Sequence, residues 1–212
     1  MKRRTLLTVL TTLTVFSPAL RAADEAPDAL IKRLTQEALD LIQSDPKVQA
    51  GDTAYLLKLL DERIMPYLDF ARMTASAVGP AWRQATAEQR ARLQAEFKTL
   101  LVQTYAGAIS QARNLSFELK PLRASPNDQE VVVRTVILGR GDPIQLDYRL
   151  EKTPGQGAGW KIFNLNVLGV WLVDTYRSQF AQEINAKGID GLIASLSDRN
   201  KKNSASGKSN KG

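Results

Sequence analysis

The side chains able to carry chemistry in this 212-residue chain are mainly carboxylates, because the sequence contains neither histidine nor cysteine. Histidine is the commonest general base and metal ligand, and cysteine is the usual thiol nucleophile. Four carboxylates in the second half are candidates for an acid and a base: Glu118, Asp147, Glu151 and Asp174. A general acid among them would need burial in an apolar site to raise its pKa. Asp147 and Glu151 lie on the polar side of an alternating segment, which favours solvated surface.

Three short motifs resemble ligand sites but lack the context that those sites require. Gly-Lys-Ser at 207–209 matches the end of a phosphate-binding loop, yet the first glycine of that motif would fall at Lys202. Gly-x-Gly-x-Gly at 155–159 precedes a predicted strand, where a dinucleotide fingerprint requires a helix. Arg-Gly-Asp at 140–142 belongs to a tight turn rich in Gly and Pro. We interpret these motifs as a chance match, a loop and a turn.

Helical spacing and capping residues dominate the first half of the chain. Apolar residues three or four apart predict a helix that begins at Pro27 and ends at Asp45. Asp52 and Asp69 are suited to cap two shorter helices. Thr86-x-x-Gln89 is a capping box that opens a long helix. One face of this helix carries Leu93, Phe97, Leu101, Tyr105, Ala108 and Ala112.

A period of two in the second half predicts an antiparallel sheet. Residues 115–119 and 144–151 alternate between apolar and polar side chains. The nearly continuous β-branched run from Val131 to Leu138 is typical of a strand covered on both faces. The remaining predicted elements are a strand over 160–168, a helix over 172–188 and a short helix from Asp190. Helices before a sheet and a helix returning after it indicate an α+β fold.

The first 22 residues predict a cleavable export signal. Lys2, Arg3 and Arg4 precede a short apolar stretch, and small residues follow up to the expected cleavage after Ala22. About eleven apolar residues are too few to span a bilayer. The Arg pair also fits twin-arginine export, so this route and the general secretory route both stay open. No cysteine follows the stretch, so we expect no lipoprotein anchor.

The positive charge of the chain is concentrated at its two ends. The whole sequence has a net charge of +7, but residues 24–198 hold 20 basic and 22 acidic side chains. The basic balance is therefore no evidence for a nucleic-acid surface, and we expect no nucleic-acid partner.

Residues 23–198 suit one α+β domain. Residues 199–212 are rich in Ser, Gly, Lys and Asn and are predicted to form a disordered basic tail.

Two segments go beyond composition. The first is Pro66-Tyr-Leu-Asp-Phe-Ala-Arg-Met-Thr-Ala-Ser-Ala-Val-Gly79, followed by Trp82 and Thr86-Ala-Glu-Gln89. The second is Trp160-Lys-Ile-Phe-Asn164, then Val170-Trp-Leu-Val-Asp-Thr-Tyr-Arg-Ser-Gln-Phe180, ending in Gly188-Ile-Asp-Gly-Leu192. Their order and spacing resemble the MlaC family of periplasmic phospholipid-binding proteins, also called toluene-tolerance auxiliary proteins. The resemblance extends over residues 28 to 197.

The resemblance implies a soluble carrier in the periplasm, with no catalytic step and no cofactor. Its cargo would be a glycerophospholipid, which passes between an outer-membrane lipoprotein complex and an inner-membrane ABC transporter complex. The implied fold is α+β, with a strongly curved antiparallel sheet packed against helices as in nuclear-transport-factor-like cones. This cone would enclose an apolar cavity for the acyl tails. We expect a monomer.

The alternation of apolar side chains indicates which residues would contact the lipid tails. They are Phe97, Leu101, Tyr105, Val133, Ile137, Leu146, Tyr148 and Leu150. The two tyrosines are suited to place hydroxyls at the rim of a cavity. Core packing is the competing interpretation, because a sequence does not distinguish a filled core from a hollow one.

The chain departs from the family pattern at two positions, where Asn164 replaces Asp and Trp171 replaces Ser. Trp171 would either fill part of the cavity or pack beside its mouth.

Two other functions stay open. One is an enzyme that acts on a small apolar molecule through a buried carboxylate, and the other is an adaptor that binds only protein partners.

Overall fold

The structure is a computed structural model that describes residues 24–111, 114–125 and 127–209. The predicted export signal and Ala112 lie outside the described residues. The helical first half contains α1 (Pro27–Ser44), α2 (Pro46–Gln49), α3 (Thr53–Leu59), a π-helix (Leu60–Ile64), a 3₁₀ turn (Met65–Tyr67), α4 (Phe70–Val78), a second 3₁₀ turn (Gly79–Arg83) and α5 (Ala87–Gln111).

Side-chain caps begin α2, α3, α4 and α5, and the caps of α3, α4 and α5 are those that the sequence predicts. The Asp52 carboxylate accepts a hydrogen bond from the Tyr55 N–H at 3.1 Å. Thr86 and Gln89 form the predicted reciprocal capping box, with backbone-to-side-chain distances of 3.0 and 3.1 Å. Asp45 was expected only to end α1, but its carboxylate also accepts from the Lys47 N–H at 2.8 Å and so begins α2.

The second half forms an open five-stranded antiparallel sheet in the order β1-β2-β3-β4-β5. Its strands are β1 (Ser116–Leu119), β2 (Glu130–Leu138), β3 (Ile144–Lys152), β4 (Trp160–Val167) and β5 (Val170–Trp171). The β3–β4 register passes from Arg149–Asn164 to Leu150–Ile162, so Phe163 is an extra residue in a β-bulge. Such a bulge bends the strand and increases its twist.

Strand β2 is buried on one face only. Val131, Val133, Thr135 and Ile137 are buried, whereas the intervening residues are half-buried or exposed. The prediction of a strand covered on both faces was therefore wrong. β-branched side chains also favour a pleated, half-buried surface, so a continuous apolar run does not by itself show double coverage.

The last helix, α6 (Leu172–Ser209), is broken at Gly188, whose φ of +70° and ψ of −173° are not helical. Composition predicted a disordered tail after residue 198, but the structure continues the helix to Ser209. Asn200 accounts for part of this difference, because its side-chain amide donates to the Glu96 backbone oxygen at 3.0 Å and to the Glu96 carboxylate at 2.7 Å. Gln103 of α5 also donates to the Ser204 hydroxyl at 2.8 Å.

Three clusters of buried apolar side chains stabilise the described part of the chain. The helical core joins α4, α5 and α6 around Phe97, whose ring lies 4.9 Å from Tyr176 and 5.3 Å from Phe180. The sheet core joins α1 to β2, β3 and β4. A small third cluster joins α2, α3 and α5. Within the described ranges, no helix has both the length and the apolar character needed to cross a membrane.

Candidate functional site

One face of the sheet carries a continuous set of apolar side chains, which we call the apolar face. The pairing register defines it, because residues opposite one another on adjacent strands point to the same side. One row consists of Val133, Tyr148 and Leu165, and the next consists of Thr135, Leu146, Val167 and Val170. The opposite, outer face carries Arg134, Asp147 and Asn166 in a single row.

Helix α1 covers one end of the apolar face completely. Leu30 and Ile31 are fully buried there against Val133 and Leu150, which are themselves 0% exposed. The stripe that produces this contact recurs every three or four residues along α1, so it faces one side of the helix. At this end the apolar face is a filled protein core.

At the opposite end the apolar side chains are only partly covered. We call this the open end, and it consists of Phe117, Ile137, Leu146, Leu165 and Val167. Four of these side chains are half-buried, and none of the five belongs to the three packed clusters in the described part of the chain. They form an apolar wall in which Ile137 is buried and the other four side chains keep part of their surface exposed.

A pair of hydroxyl groups marks the boundary between the two ends. The Thr35 hydroxyl of α1 lies 3.5 Å from the Tyr148 hydroxyl of β3. Burial raises the pKa of the Tyr148 phenol, while hydrogen bonds with Thr35 and Thr135 act in the opposite direction. The phenol therefore stays neutral at ordinary pH and lies against α1, rather than at a solvent-exposed rim.

A separate apolar pocket of about 360 Å³ lies between α1, α3 and α5. Its volume is within the range of small-molecule sites, near the lower limit. Charged side chains also line it, namely Glu37 and Asp40 of α1 and Arg63 of the π-helix. Its apolar lining includes Ala38, Leu41, Ile42, Val48, Leu56, Leu59, Leu60, Ile64, Val102 and Ile109.

The structure divides the eight predicted tail-contact residues among several environments. Phe97 and Leu101 belong to the helical core, and Val133 and Leu150 belong to the sheet core. Tyr148 packs at the edge of the sheet core. The remaining three, Ile137, Leu146 and Tyr105, lie outside all three clusters of described residues.

The eight residues are therefore not one surface, although five of them lie on the apolar face of the sheet: Val133, Ile137, Leu146, Tyr148 and Leu150. Helical periodicity placed Phe97 and Tyr105 on the same stripe of α5, but it does not specify which neighbour covers each turn. Burial raises the pKa of the Tyr105 phenol, as expected for a ring that lies partly inside the protein. The lipid-contact roles of all eight residues stay predictions.

Three members of the open end were missed by sequence reasoning. Phe117 is opposite Ile137, while Leu165 and Val167 follow the bulge on β4. The alternation of β4 was a usable signal for Leu165 and Val167. The bulge at Phe163 shifts the inward positions by one residue, and a simple period of two does not predict that shift.

Asn164 and Trp171, the two departures from the family pattern, both lie on the outer face of the sheet. The Asn164 side-chain oxygen accepts from the Val173 N–H at 3.2 Å, at the start of α6. Either an amide or a carboxylate oxygen can accept this hydrogen bond, so Asn164 can act as the acceptor without a charge. Trp171 is opposite Asn166, on the outer face, and the Arg149 guanidinium lies 4.0 Å from its ring centroid. Trp171 therefore does not fill a cavity at the apolar face.

A carboxylate is buried in the sheet, but it lies on the outer face and not on the apolar face, where the enzyme hypothesis would require it. Asp147 is only 4% exposed, but the register places it on the outer face. One of its oxygens accepts from the Gln145 amide at 2.7 Å. Glu151, also on the outer face, is paired with Arg72. Among the described residues, no group of carboxylates is arranged to hold a metal ion.

Comparisons with known proteins agree with this architecture. The model of the family described as MlaC protein matches residues 32–198. Toluene tolerance protein ttg2D of Pseudomonas putida is 26% identical over 174 residues, which is 82% of this chain and 80% of that protein. The intermembrane phospholipid transport system binding protein MlaC of Haemophilus influenzae is 24% identical over 195 residues, which is 91% of this chain and 90% of that protein.

A solved structure gives a further match. The phospholipid-binding protein from Ralstonia solanacearum, solved in complex with a phospholipid, is 40% identical to this chain. The two superpose with a TM-score of 0.79 over 84% of this chain and 98% of that one. The chain therefore belongs to the MlaC family.

Proposed function

We propose that this chain is a phospholipid carrier that holds acyl tails against the open end of its apolar face. The observation that carries the proposal is the group of five apolar side chains there, which lie outside every packed cluster of described residues. The solved relative supports the choice of ligand, because it was obtained in complex with a phospholipid. α1 supplies a rigid closed end, so the tails would enter from the opposite end.

The energetic problem that such a carrier solves is large. Two acyl chains contain about thirty methylenes, and at ~0.8 kcal/mol each their exposure to water costs roughly 25 kcal/mol. An apolar wall removes most of this cost, but so does a bilayer. Exchange between carrier and bilayer is then close to balanced, and the direction of transport is set by partner proteins.

The finer proposal is that the lipid moves between an outer-membrane lipoprotein complex and an inner-membrane ABC transporter complex. The Haemophilus relative supports this by its description as part of an intermembrane phospholipid transport system. In this scheme residues 1–22 direct export to the periplasm, and the exported domain acts as a monomer. It uses no cofactor and performs no catalytic step, and any ATP is hydrolysed by a partner.

The test of lipid binding is extraction of purified protein with organic solvent, followed by mass spectrometry. We expect a glycerophospholipid from the wild-type protein. Leu146→Arg places a charge on the apolar face and should abolish the co-purified lipid. Val136→Arg is the matched control, because Val136 is half-buried on the adjacent strand but on the outer face. A folded wild-type protein with an empty extract would contradict the proposal and favour the protein-only adaptor.

The test of shuttling needs both membrane complexes. Labelled phospholipid in vesicles that bear one complex should reach vesicles that bear the other only when this protein is present. The Val136→Arg control should transfer lipid at the wild-type rate, and Leu146→Arg should not. Equal transfer in the absence of the protein would remove the shuttling role while leaving lipid binding intact.

A further inference from the structure

Three large apolar side chains are exposed in the described part of the chain, and they lie together. Ile144 is 40% exposed, Leu168 63% and Val170 50%. Ile144 begins β3, while Leu168 and Val170 belong to the β4–β5 turn and to β5. The Leu168 N–H donates to the Gln145 backbone oxygen at 3.0 Å, so the β4–β5 turn is joined directly to the start of β3. We call these three residues the apolar tip.

Leu168 is an unfavourable residue for the turn that it forms. Its φ is +54° and that of Gly169 is +85°, so both central residues of this two-residue turn have left-handed backbone. Asn-Gly or Asp-Gly is favoured in such a turn, because a bulky side chain is strained at positive φ. Folding alone would therefore select Asn at this position, both for the backbone and for solvent exposure. A strained residue with an exposed apolar side chain indicates a function outside folding.

The apolar tip continues the open end of the apolar face. Ile144 is paired with Ile137, and Val170 is paired with Val167. Apolar side chains thus run without interruption from the half-buried wall of the open end to the exposed tip. A lipid tail that leaves the open end would meet the tip before it meets water.

We propose that the apolar tip inserts into the surface of a lipid bilayer while lipid enters or leaves the open end. This inference rests on the proposed carrier function and specifies how the open end meets its donor. A stable protein partner would need about 20–30 residues on each side, with aromatic or arginine anchors, and three aliphatic side chains fall far short of that. They suit a shallow and reversible contact with acyl chains, which a carrier must break after each exchange.

The charges at this end of the sheet predict which bilayers the tip accepts. The neighbouring β2–β3 turn carries Arg140 and Asp142, one charge of each sign. Insertion is therefore driven by apolar contact and should proceed on zwitterionic vesicles. High salt should leave it nearly unchanged, since salt screens only charge–charge attraction.

The test compares the wild-type protein with the triple variant Ile144→Thr, Leu168→Asn, Val170→Thr. Both are loaded with labelled phospholipid and mixed with phosphatidylcholine vesicles, and transfer rate and co-flotation are measured. The triple variant should still co-purify with lipid, because all five side chains of the open end are unchanged. It should melt at the wild-type temperature or above, because Asn suits the turn. Its vesicle partitioning and transfer rate should fall at least about tenfold, as expected for the loss of aliphatic contacts.

Two controls separate this inference from the carrier proposal. Val132→Thr makes a matched change on the outer face of β2 and should leave transfer unchanged. Leu168→Asn alone, which cannot disturb the strands, should reproduce part of the loss. Transfer by the triple variant within twofold of wild type, or wild-type transfer that collapses in high salt, would overturn the insertion of the tip. Failure of the wild-type protein to hold lipid at all would overturn the carrier proposal and the tip with it.

Discussion

Two leucines on one strand allow the same substitution to be tested in a packed and an unpacked environment. Leu150 and Leu146 both point to the apolar face of β3. Leu150 is 0% exposed and packs in the sheet core against α1, whereas Leu146 is half-buried and lies in the open end. Leu150→Ala should therefore reduce the free energy of unfolding by about 3 kcal/mol, within the range of buried Leu→Ala changes.

Leu146→Ala should behave differently because its partner is proposed to be lipid. In delipidated protein we expect a loss of about 1 kcal/mol or less, since few protein atoms surround the deleted carbons. In lipid-loaded protein the three lost carbons remove up to ~2 kcal/mol of lipid contact, which lowers lipid affinity up to about thirtyfold.

Urea unfolding of delipidated and lipid-loaded protein measures the free energy of unfolding. Displacement of a fluorescent phospholipid measures the lipid affinity. The bound lipid adds stability according to its concentration and affinity, so the two readouts must agree. Equal destabilisation of the two delipidated variants would show that Leu146 is ordinary core. Unchanged lipid affinity in Leu146→Ala would likewise refute our reasoning.

Three further outcomes follow from individual contacts. Asn164→Leu removes the acceptor at the start of α6 and should cost about 1–3 kcal/mol in chemical unfolding, whereas Asn164→Asp should retain most of the stability. Asn200→Ala should release the end of α6 from α5, so amide hydrogen exchange after residue 200 should accelerate while the rest of α6 stays protected. The Tyr55 hydroxyl, which donates to the Asp45 carboxylate at 2.7 Å, lowers the pKa of that carboxyl, and Tyr55→Phe should raise it in a carboxyl NMR titration. The pKa of Asp45 is lower in the folded protein than in the unfolded chain, so the hydrogen bond makes wild type more stable than Tyr55→Phe above about pH 4. This difference in stability should be lost as the pH falls through the folded-state pKa. An Asp45 titration that is unchanged in Tyr55→Phe would contradict the role given to the Tyr55 hydroxyl. Unchanged exchange in Asn200→Ala would contradict the role of Asn200 in holding α6, and a fully stable Asn164→Leu would contradict that of the Asn164 acceptor.

The helical half of the fold could be predicted because its signals are local. Asp52, Asp69 and the Thr86–Gln89 box each satisfy backbone groups within three residues, so their effect is independent of the rest of the chain. The α+β architecture and the antiparallel order follow from period and turn spacing in the same way. The family resemblance drawn from separate sequence blocks is confirmed by the family match.

The arrangement of the site could be predicted only in part, because it depends on distant contacts. Leu146 and Leu150 have the same place in the alternation of β3, and only the position of α1 makes one packed and the other not. Phe97 packs against two aromatic rings of α6, a contact that the periodicity of α5 alone does not reveal, and its contact with lipid stays a prediction. The β4–β5 turn was missed because Leu168 is not a typical residue for left-handed backbone.

The final stretch of α6 shows the same limit. Residues after 198 have the composition of a disordered tail, and composition describes what a segment can do alone. Asn200 is 5% exposed and bonds to α5, which is about a hundred residues earlier in the chain. Contacts of that sequence separation leave no local pattern.

Native mass spectrometry of the purified, exported protein tests the central claim most directly. The account predicts a folded species whose mass exceeds that of the polypeptide by one phospholipid, which dissociates on activation and is identified by fragmentation. Leu146→Arg should appear only at the mass of the polypeptide, and Val136→Arg should retain the lipid. A folded wild-type protein found only at the polypeptide mass, and still without lipid after incubation with vesicles, would contradict the account.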